Sequence, residues 1–442
     1  MRLLIGSDAP TSLGPQADIR AWTERLLWFA KDGDALVFMD TPDPLFVKHV
    51  TCITGVDHTS LHFHILPSRW VRGNFDAWSL LDNDFQDELE VHAHRATEVL
   101  ALWPTPEIAW LVNSLEVGHK WLGSEFFREG GGILANSKAV FRALAAGAGV
   151  AVAPGGVCRS LDDAFHLSGY LLQLGTAFMV KRSYGGSGMG NEIVSTKPIA
   201  TSHAGHASSQ LIEANAASLR AYWAQRWVWA SADESHPVVI EAFVPNARTF
   251  YAEVLCDTDG VRLAMVGELR FIAGCLTHEI FPAQDIALTM QESLQEGAKR
   301  LAQSYWAMGY RGYLSLDSVV TPEGDILFTE ANARFTSSTH LYTVIAPIAA
   351  RALKGKSWVV VQMTSPASWQ VQGLEHLLET LTKHQLLFHP SSCTGLMVVA
   401  PFVPNMKQVV MAAVAEHEAA ALELFETLGR ILTPKDLARN LS

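Results

Sequence analysis

The chain has 442 residues, 49% of them hydrophobic and 18% charged, with a formal net charge of −12. That length accommodates roughly two to four domains around a sizeable core. The acidic balance and the lack of a long basic run exclude nucleic acid as a main partner, because binding a phosphate backbone needs clustered Lys and Arg. The five cysteines, Cys52, Cys158, Cys256, Cys275 and Cys393, are scattered singly. With no CxxC pair or disulfide-like spacing, they point to a reducing, cytoplasmic setting. No uncharged apolar segment approaches the ~18 residues of a membrane-spanning helix. The N-terminal Met1–Asp8 is too short an apolar run for a signal peptide and is expected to form a first strand.

Residues 1–132 are expected to form an α/β domain. Strands are expected at Arg2–Gly6, Ala35–Met39 and His62–Ile65, with a helix over Ala17–Ala30 between the first two. A helix is expected over Asp84–Trp103, ending before Pro104, and a buried strand over Ala109–Val112. His62 and His64 alternate onto one strand face, but no third ligand is near in sequence, so they are read as structural. A GxGxxG turn is missing after the first strand, so this is a nucleotide-fold relative without a dinucleotide site.

Gly130-Gly131-Gly132 marks a boundary, and residues 133–245 are read as a second domain. A helix runs from Asn136-Ser137-Lys138 to Ala146, capped by Asn136 or Ser137. Lys138 sits where the helix dipole disfavours a cation, a conflict that a nearby anion removes. Ala177–Lys181 reads as an apolar strand ending in a Lys. Gly185-Gly186-Ser187-Gly188-Met189-Gly190 follows as a flexible turn, and then a further strand. Glycines let backbone N–H groups approach phosphate oxygens, and the Lys adds a point charge. The run is not a P-loop. Neither is Gly355-Lys356-Ser357, which has Ala350 where that motif needs Gly. A helix is expected over residues 208–230, and then a strand over Pro237–Pro245.

Residues 246–363 are read as a third domain. Arg248–Cys256 and Val261–Glu268 form paired strands around Asp257–Gly260, followed by Arg270 and a helix over Ser293–Met308. Gly312–Asp317 and Gly324–Arg334 are two short strands joined at Thr321–Gly324. Glu330, Asn332 and Arg334 alternate onto one face, and Asp317 reaches it in a hairpin register. Two carboxylates and an amide oxygen are hard donors of the kind Mg²⁺ takes beside phosphates, and a nearby Arg stabilises charge on a transferred phosphoryl group. The alternative is a solvated hairpin face. A helix is expected over Leu341–Leu353, with His340 packed or capping at its start, and a strand over Trp358–Met363. Residues 364–442 read as a small α/β appendage. It has a helix at Gln372–His384, a strand within Ser391–Pro401 and a long helix at Met411–Leu428.

The strand-end Lys with its Gly-rich loop, the Glu-x-x-Val at Glu241–Val244, and Asp317 followed by Glu330-x-Asn332-x-Arg334 resemble, in this order, the ATP-grasp superfamily over about residues 130–355. The N-terminal part resembles the pre-ATP-grasp domain. Residues 375–442, where Ser392-Cys393-Thr394-Gly395 leads to a long helix, resemble the small C-terminal domain of pheganomycin-type peptide ligases. The resemblance implies an α/β (α+β) ATP-grasp fold and a carboxylate–amine ligase of specialised metabolism. Such an enzyme uses ATP and Mg²⁺ to join an amino acid or peptide-like acid to an amine through an acyl phosphate. It also implies roles for particular residues. Lys138 and Lys181 hold ATP phosphates under a lid of Gly185, Gly186, Ser187, Gly188 and Met189. Glu241 and the backbone of Ala242, Phe243 and Val244 read the adenine edge. Asp317, Glu330 and Asn332 hold Mg²⁺, Arg334 stabilises the acyl phosphate, and Arg270 contacts a carboxylate or phosphate. Relatives are often homodimers. Some place a ribose-binding carboxylate just past the hinge, where this chain has Arg248 and Thr249. Activation with a thiol or bicarbonate partner, or a phosphotransferase, remains open.

Overall fold

The computed structural model describes all residues except 8–19, 68–79, 81, 187, 200–203, 354, 403–407 and 435–442. The start of the helix expected at Ala17–Ala30, and Ser187, fall outside the described residues. Contacts divide the chain into two units. The first comprises Met1–Gly132, Glu279–Gln284 and Arg334–Ser442, and the second Ile133–His278 and Asp285–Ala333.

The first unit opens with β1 (Leu3–Ile5), β2 (Ala35–Phe38), β3 (His62–Ile65) and β4 (Val99–Ala101), a parallel sheet in the order β3-β2-β1-β4. β1 and β2 are buried throughout, as expected for strands covered on both faces. The helix expected over Asp84–Trp103 is shorter. It spans Asn83–Arg95 with Asp82 as its cap, and Ala96 turns extended to release Val99–Ala101 into the sheet beside β1. Ala109–Val112, expected as a strand, lies in a helix Pro106–Ser114 capped by Thr105. A four-residue apolar run does not distinguish the two periods, but Pro106 at the first helical turn does. His62 and His64 gain a neighbour in His92. Nε2 of His64 lies 3.1 Å from Nδ1 of His92, and the His62 and His92 ring centres are 4.3 Å apart.

The second unit has two sheets. β5 (Gly155–Cys158), β6 (Phe178–Arg182), β7 (Asn191–Ser195), β8 (Ser208–Leu211) and β9 (Val238–Ala242) form one, in the order β5-β9-β6-β7-β8. Phe178, Val180, Val194, Val238 and Ile240 pack from one face onto a core that includes Trp223 and Trp227. These tryptophans belong to the helix Ala216–Ser231, which is shorter than expected. Ser208–Leu211 is strand, and Asn215 starts the helix by accepting from Ser218 N at 2.8 Å. The opposite face carries Met179, Ile193 and Phe243, a small apolar patch.

The second sheet contains β10 (Arg248–Cys256), β11 (Val261–Ile272), β12 (Cys275–Phe281), β13 (Gly312–Val320) and β14 (Ile326–Asn332), in the order β14-β13-β10-β11-β12. From Glu279 onward β12 belongs to the first unit. The helix Leu288–Met308 covers one face. A Cβ on its Gly297 would lie 2.7 Å from the Phe328 ring, so only Gly lets helix and sheet approach this closely.

The first unit then resumes. His340 is 1% exposed and stacks on Trp28 rather than capping the following helix. That helix starts with a π-turn, Leu341–Ile345, before Ala346–Ala352. β15 (Val359–Thr364), β16 (Gly395–Val398) and β17 (Val410–Ala415) are ordered β15-β17-β16 and antiparallel. The segment expected as one helix over Met411–Leu428 is therefore a strand followed by a helix, Glu418–Leu432, capped by His417. Ala412 and Ala413 are fully buried between two neighbouring strands, and this packing overrides their helix propensity.

Candidate active site

The second unit brings the charged residues of its two sheets together. In the β13–β14 hairpin Asp317 pairs with Glu330, and Ser315 with Asn332, so these side chains share a face. Between Asp317 and Ser318 the register shifts. Phe328 pairs with Ser318, leaving Thr329 as the extra residue of a bulge. Glu330 and Phe328, two residues apart, therefore point to opposite faces. Phe328 meets the helix at Gly297, so Asp317, Glu330 and Asn332 face away from it. Asn332 Nδ2 lies 3.4 Å from Asp317 Oδ2.

Lys138 is the first residue of the helix Lys138–Gly147, with Ser137 as cap. Its ammonium is buried, donates to Gly185 O at 3.0 Å and lies 2.9 Å from Glu330 Oε2. The anion that its place at a helix N-terminus called for is the Glu330 carboxylate. Lys181, on β6, is 4% exposed. Its ammonium donates to Thr329 O at 3.3 Å and pairs with Glu241 on β9. The other Glu241 oxygen accepts from Arg142 Nη1 at 2.8 Å, and Arg142 Nη2 donates to Ala153 O at 3.0 Å. Lys181 and Lys138 thus both reach the bulged strand, one at the Thr329 carbonyl and the other at the Glu330 side chain next to it.

At the hinge the Glu241 carboxylate is committed to two cations. Ala242 N–H donates to Pro154 O at 2.7 Å and Phe243 N–H to Ala177 O at 2.8 Å, so both are taken by the ladder. Val244 follows them. The apolar face of Met179, Ile193 and Phe243 lies on the Lys181 side of the same sheet. The Gly-rich loop joins β6 to β7 through tight turns, with Met189 N donating to Gly186 O at 3.0 Å and Asn191 N to Gly188 O at 2.9 Å. Gly188 has φ +76°, and a Cβ there would come within 2.5 Å of the Gly205 backbone. Met189 is exposed.

Arg270 is placed elsewhere. Phe250 pairs with Glu268, and alternation puts Arg270 on the Glu268 face, the face of Phe328. There Arg248 and Arg270 flank Glu268 at 3.0 and 3.5 Å. Arg248 is thus an ion-pair partner of Glu268. Arg334 belongs to the first unit, where its guanidinium lies 4.1 Å from the centre of the Trp103 ring, a cation–π contact.

Sequence reading missed Arg142, Thr329 and Trp103. Arg142 had a signal: it lies four residues after Lys138 and so shares its helix face. The Thr329 bulge and the Trp103 contact had none. Among the described residues no group of three or more His, Cys, Asp or Glu side chains could hold a metal. Two carboxylates and an amide remain, all hard oxygen donors, a set that fits Mg²⁺ when phosphate oxygens and water complete the shell.

Residues 23–117 match the family model described as the pre-ATP-grasp domain. No curated protein matches the sequence. Several solved structures share the fold. One is N5-carboxyaminoimidazole ribonucleotide synthetase in its ADP complex, at 14% identity and TM-score 0.58, over 97% of this chain and 95% of that one. Another is the N5-carboxyaminoimidazole ribonucleotide synthetase of Thermus thermophilus, at 13% identity and TM-score 0.56, over 98% and 99%. A third is biotin carboxylase from Campylobacter jejuni in a β,γ-ATP complex, at 14% identity and TM-score 0.59, over 96% and 89%. The fold is therefore the mixed α/β ATP-grasp fold, with a pre-ATP-grasp domain near its N-terminus. Among the described residues, no helix is long and apolar enough to cross a membrane.

Proposed function

We propose that this chain is an ATP-dependent ligase that activates a carboxylic acid and passes its acyl group to an amine, releasing ADP and phosphate. One observation carries the reading: within one unit, Lys138 and Lys181 converge on the strand that bears Glu330 and Asn332, with Asp317 in register beside it. Crowded anions need such an arrangement of fixed cations and hard oxygen donors.

In this reading Lys138 and Lys181 bind the phosphate chain, and Gly185–Gly190 cover it and exclude water. The patch of Met179, Ile193 and Phe243 takes the adenine face. Asp317, Glu330 and Asn332 would hold Mg²⁺, which neutralises phosphate charge. A carboxylate cannot be attacked directly by an amine, because oxide would have to leave. When the acid oxygen bonds to the γ-phosphorus and the bond to ADP breaks, phosphate becomes the leaving group. The amine then forms the C–N bond and loses a proton as phosphate departs, while Arg334 stabilises the acyl phosphate. Amino acids or peptides are the expected substrates, and domains at 1–132, 133–245, 246–363 and 364–442 are the expected functional division.

A second reading has bicarbonate as the acid. The fold neighbours are named as a carboxylase and a carboxyaminoimidazole synthetase, and those names favour it. The test is a screen of acids and amines for ADP release, with mass spectrometry of the product. ADP release that requires both an acid and an amine, with an amide as product, supports the first reading. A carboxylated amine supports the second. Release of AMP and pyrophosphate overturns both.

A further inference from the structure

We infer that Arg142, working through Glu241, is a positioning residue that aims Lys181 at the phosphate chain. The inference deepens the nucleotide reading and rests on it. Arg142, Glu241 and Lys181 are all buried, at 9%, 4% and 4% exposure, and come from a helix, β9 and β6. Both terminal nitrogens of the Arg fork are engaged: Nη1 donates to Glu241 Oε2 at 2.8 Å and Nη2 to Ala153 O at 3.0 Å. Glu241 is thereby fixed from behind, and its other oxygen holds the Lys181 ammonium, which also donates to Thr329 O.

Two buried cations share this one carboxylate, so neither holds it alone. Taking one partner from a buried charged arrangement lets the remaining groups rearrange. Arg142, anchored also at Ala153 O, keeps Glu241 from relaxing onto Lys181. An ammonium on a flexible stem gains directional precision only from such a support.

The test is calorimetric titration of the full chain, with Mg²⁺ present, using ATP, inorganic tripolyphosphate and adenosine as separate probes. Arg142→Met is expected to weaken ATP and tripolyphosphate by about tenfold or more and by equal factors, with adenosine changed less than about twofold. Arg142→Lys, which keeps the charge but not the fork, is expected to recover at least about threefold of the loss. Equal weakening of ATP and adenosine would mean that Arg142 only holds the fold, and unchanged ATP affinity would mean that it does nothing for phosphate. Either overturns the inference. If the Met variant does not fold, Arg142→Lys alone decides, by a loss of about threefold for ATP against none for adenosine. Unmodified chain that binds neither ATP nor tripolyphosphate instead sinks the nucleotide reading, an outcome distinct from either variant result.

Discussion

Lys138 Nζ sits 2.9 Å from Glu330 Oε2, although one opens a helix near the start of the second unit and the other lies in its last strand. The contact is between a buried ammonium and a carboxylate that is partly open to solvent. Glu330→Gln keeps the shape and removes the charge. It is expected to lower ATP-dependent turnover by about 10²-fold or more and to change thermal stability far less than Glu241→Gln does. Steady-state ADP release and a melting curve check both halves.

Glu241 is the opposite case. Its carboxylate sits between Arg142 and Lys181 with 4% exposure, so Glu241→Gln leaves two buried cations facing each other. A loss of about 3–5 kcal/mol in unfolding free energy is expected, the usual effect of removing one partner from a buried pair. Urea unfolding followed by tryptophan fluorescence measures it, and a loss below about 1 kcal/mol would show the pair to be solvated.

Gly267 lies opposite Tyr251, and a Cβ there would reach within 2.2 Å of the Tyr251 ring. Tyr251 is buried and in register with Asp317. Gly267→Ala is expected to cost about 1–3 kcal/mol through overpacking and to lower turnover as Tyr251 is pushed towards the acid-bearing row. Chemical denaturation and ADP release report the two effects.

His49 gives a pH signature. Burial pushes its imidazole down to about 4, and Nε2 accepts from Val398 N at 3.0 Å, which needs that nitrogen unprotonated. In the unfolded chain the ordinary value of 6.5 applies. The folded value is the lower one, so the unfolded state takes up the proton first as pH falls. The stabilisation is present above 6.5 and is lost on acidification towards 4. Between pH 7 and pH 5 the loss from this one group is about 2 kcal/mol. His49→Gln is expected to flatten that part of the stability–pH profile, read from denaturation midpoints at matched ionic strength.

Trp103 carries the Arg334 guanidinium on its ring at 4.1 Å. Trp103→Leu is expected to reduce turnover by several-fold, as a cation–π contact of about 0.5–2 kcal/mol is lost, with little change in ATP affinity. A change in ATP affinity without a change in turnover would argue against the role proposed for Arg334.

The legible parts of the site were those written in local chemistry. Lys138 at a helix start advertised an unmet need for an anion, and the alternation of Glu330 and Asn332 placed them on one face. Relationships between distant segments were not legible. Nothing near Arg142 announces Glu241, and no residue pattern marks Thr329 as a bulge. In the fold, short apolar runs failed in both directions. Ala109–Val112 turned out helical because Pro106 and Thr105 start a helix, and Met411–Ala415 turned out extended because it is sandwiched between two strands. The helix at 84–103 was overrun because its stop is the extended backbone at Ala96, with no Gly or Pro to mark it.

The single spare residue at Thr329 also has a bearing on what length changes this hairpin tolerates. The turn at Thr321–Asp325 lies on the far side of the bulge from Glu330 and Asn332. An insertion in that turn would lengthen the turn and leave the pairing from Ile326 onward unchanged, whereas removing Thr329 alone would rotate either Phe328 out of its seat against Gly297 or Glu330 and Asn332 off the Asp317 face. Related chains should therefore vary freely in the length of the turn and never by one residue at the bulge.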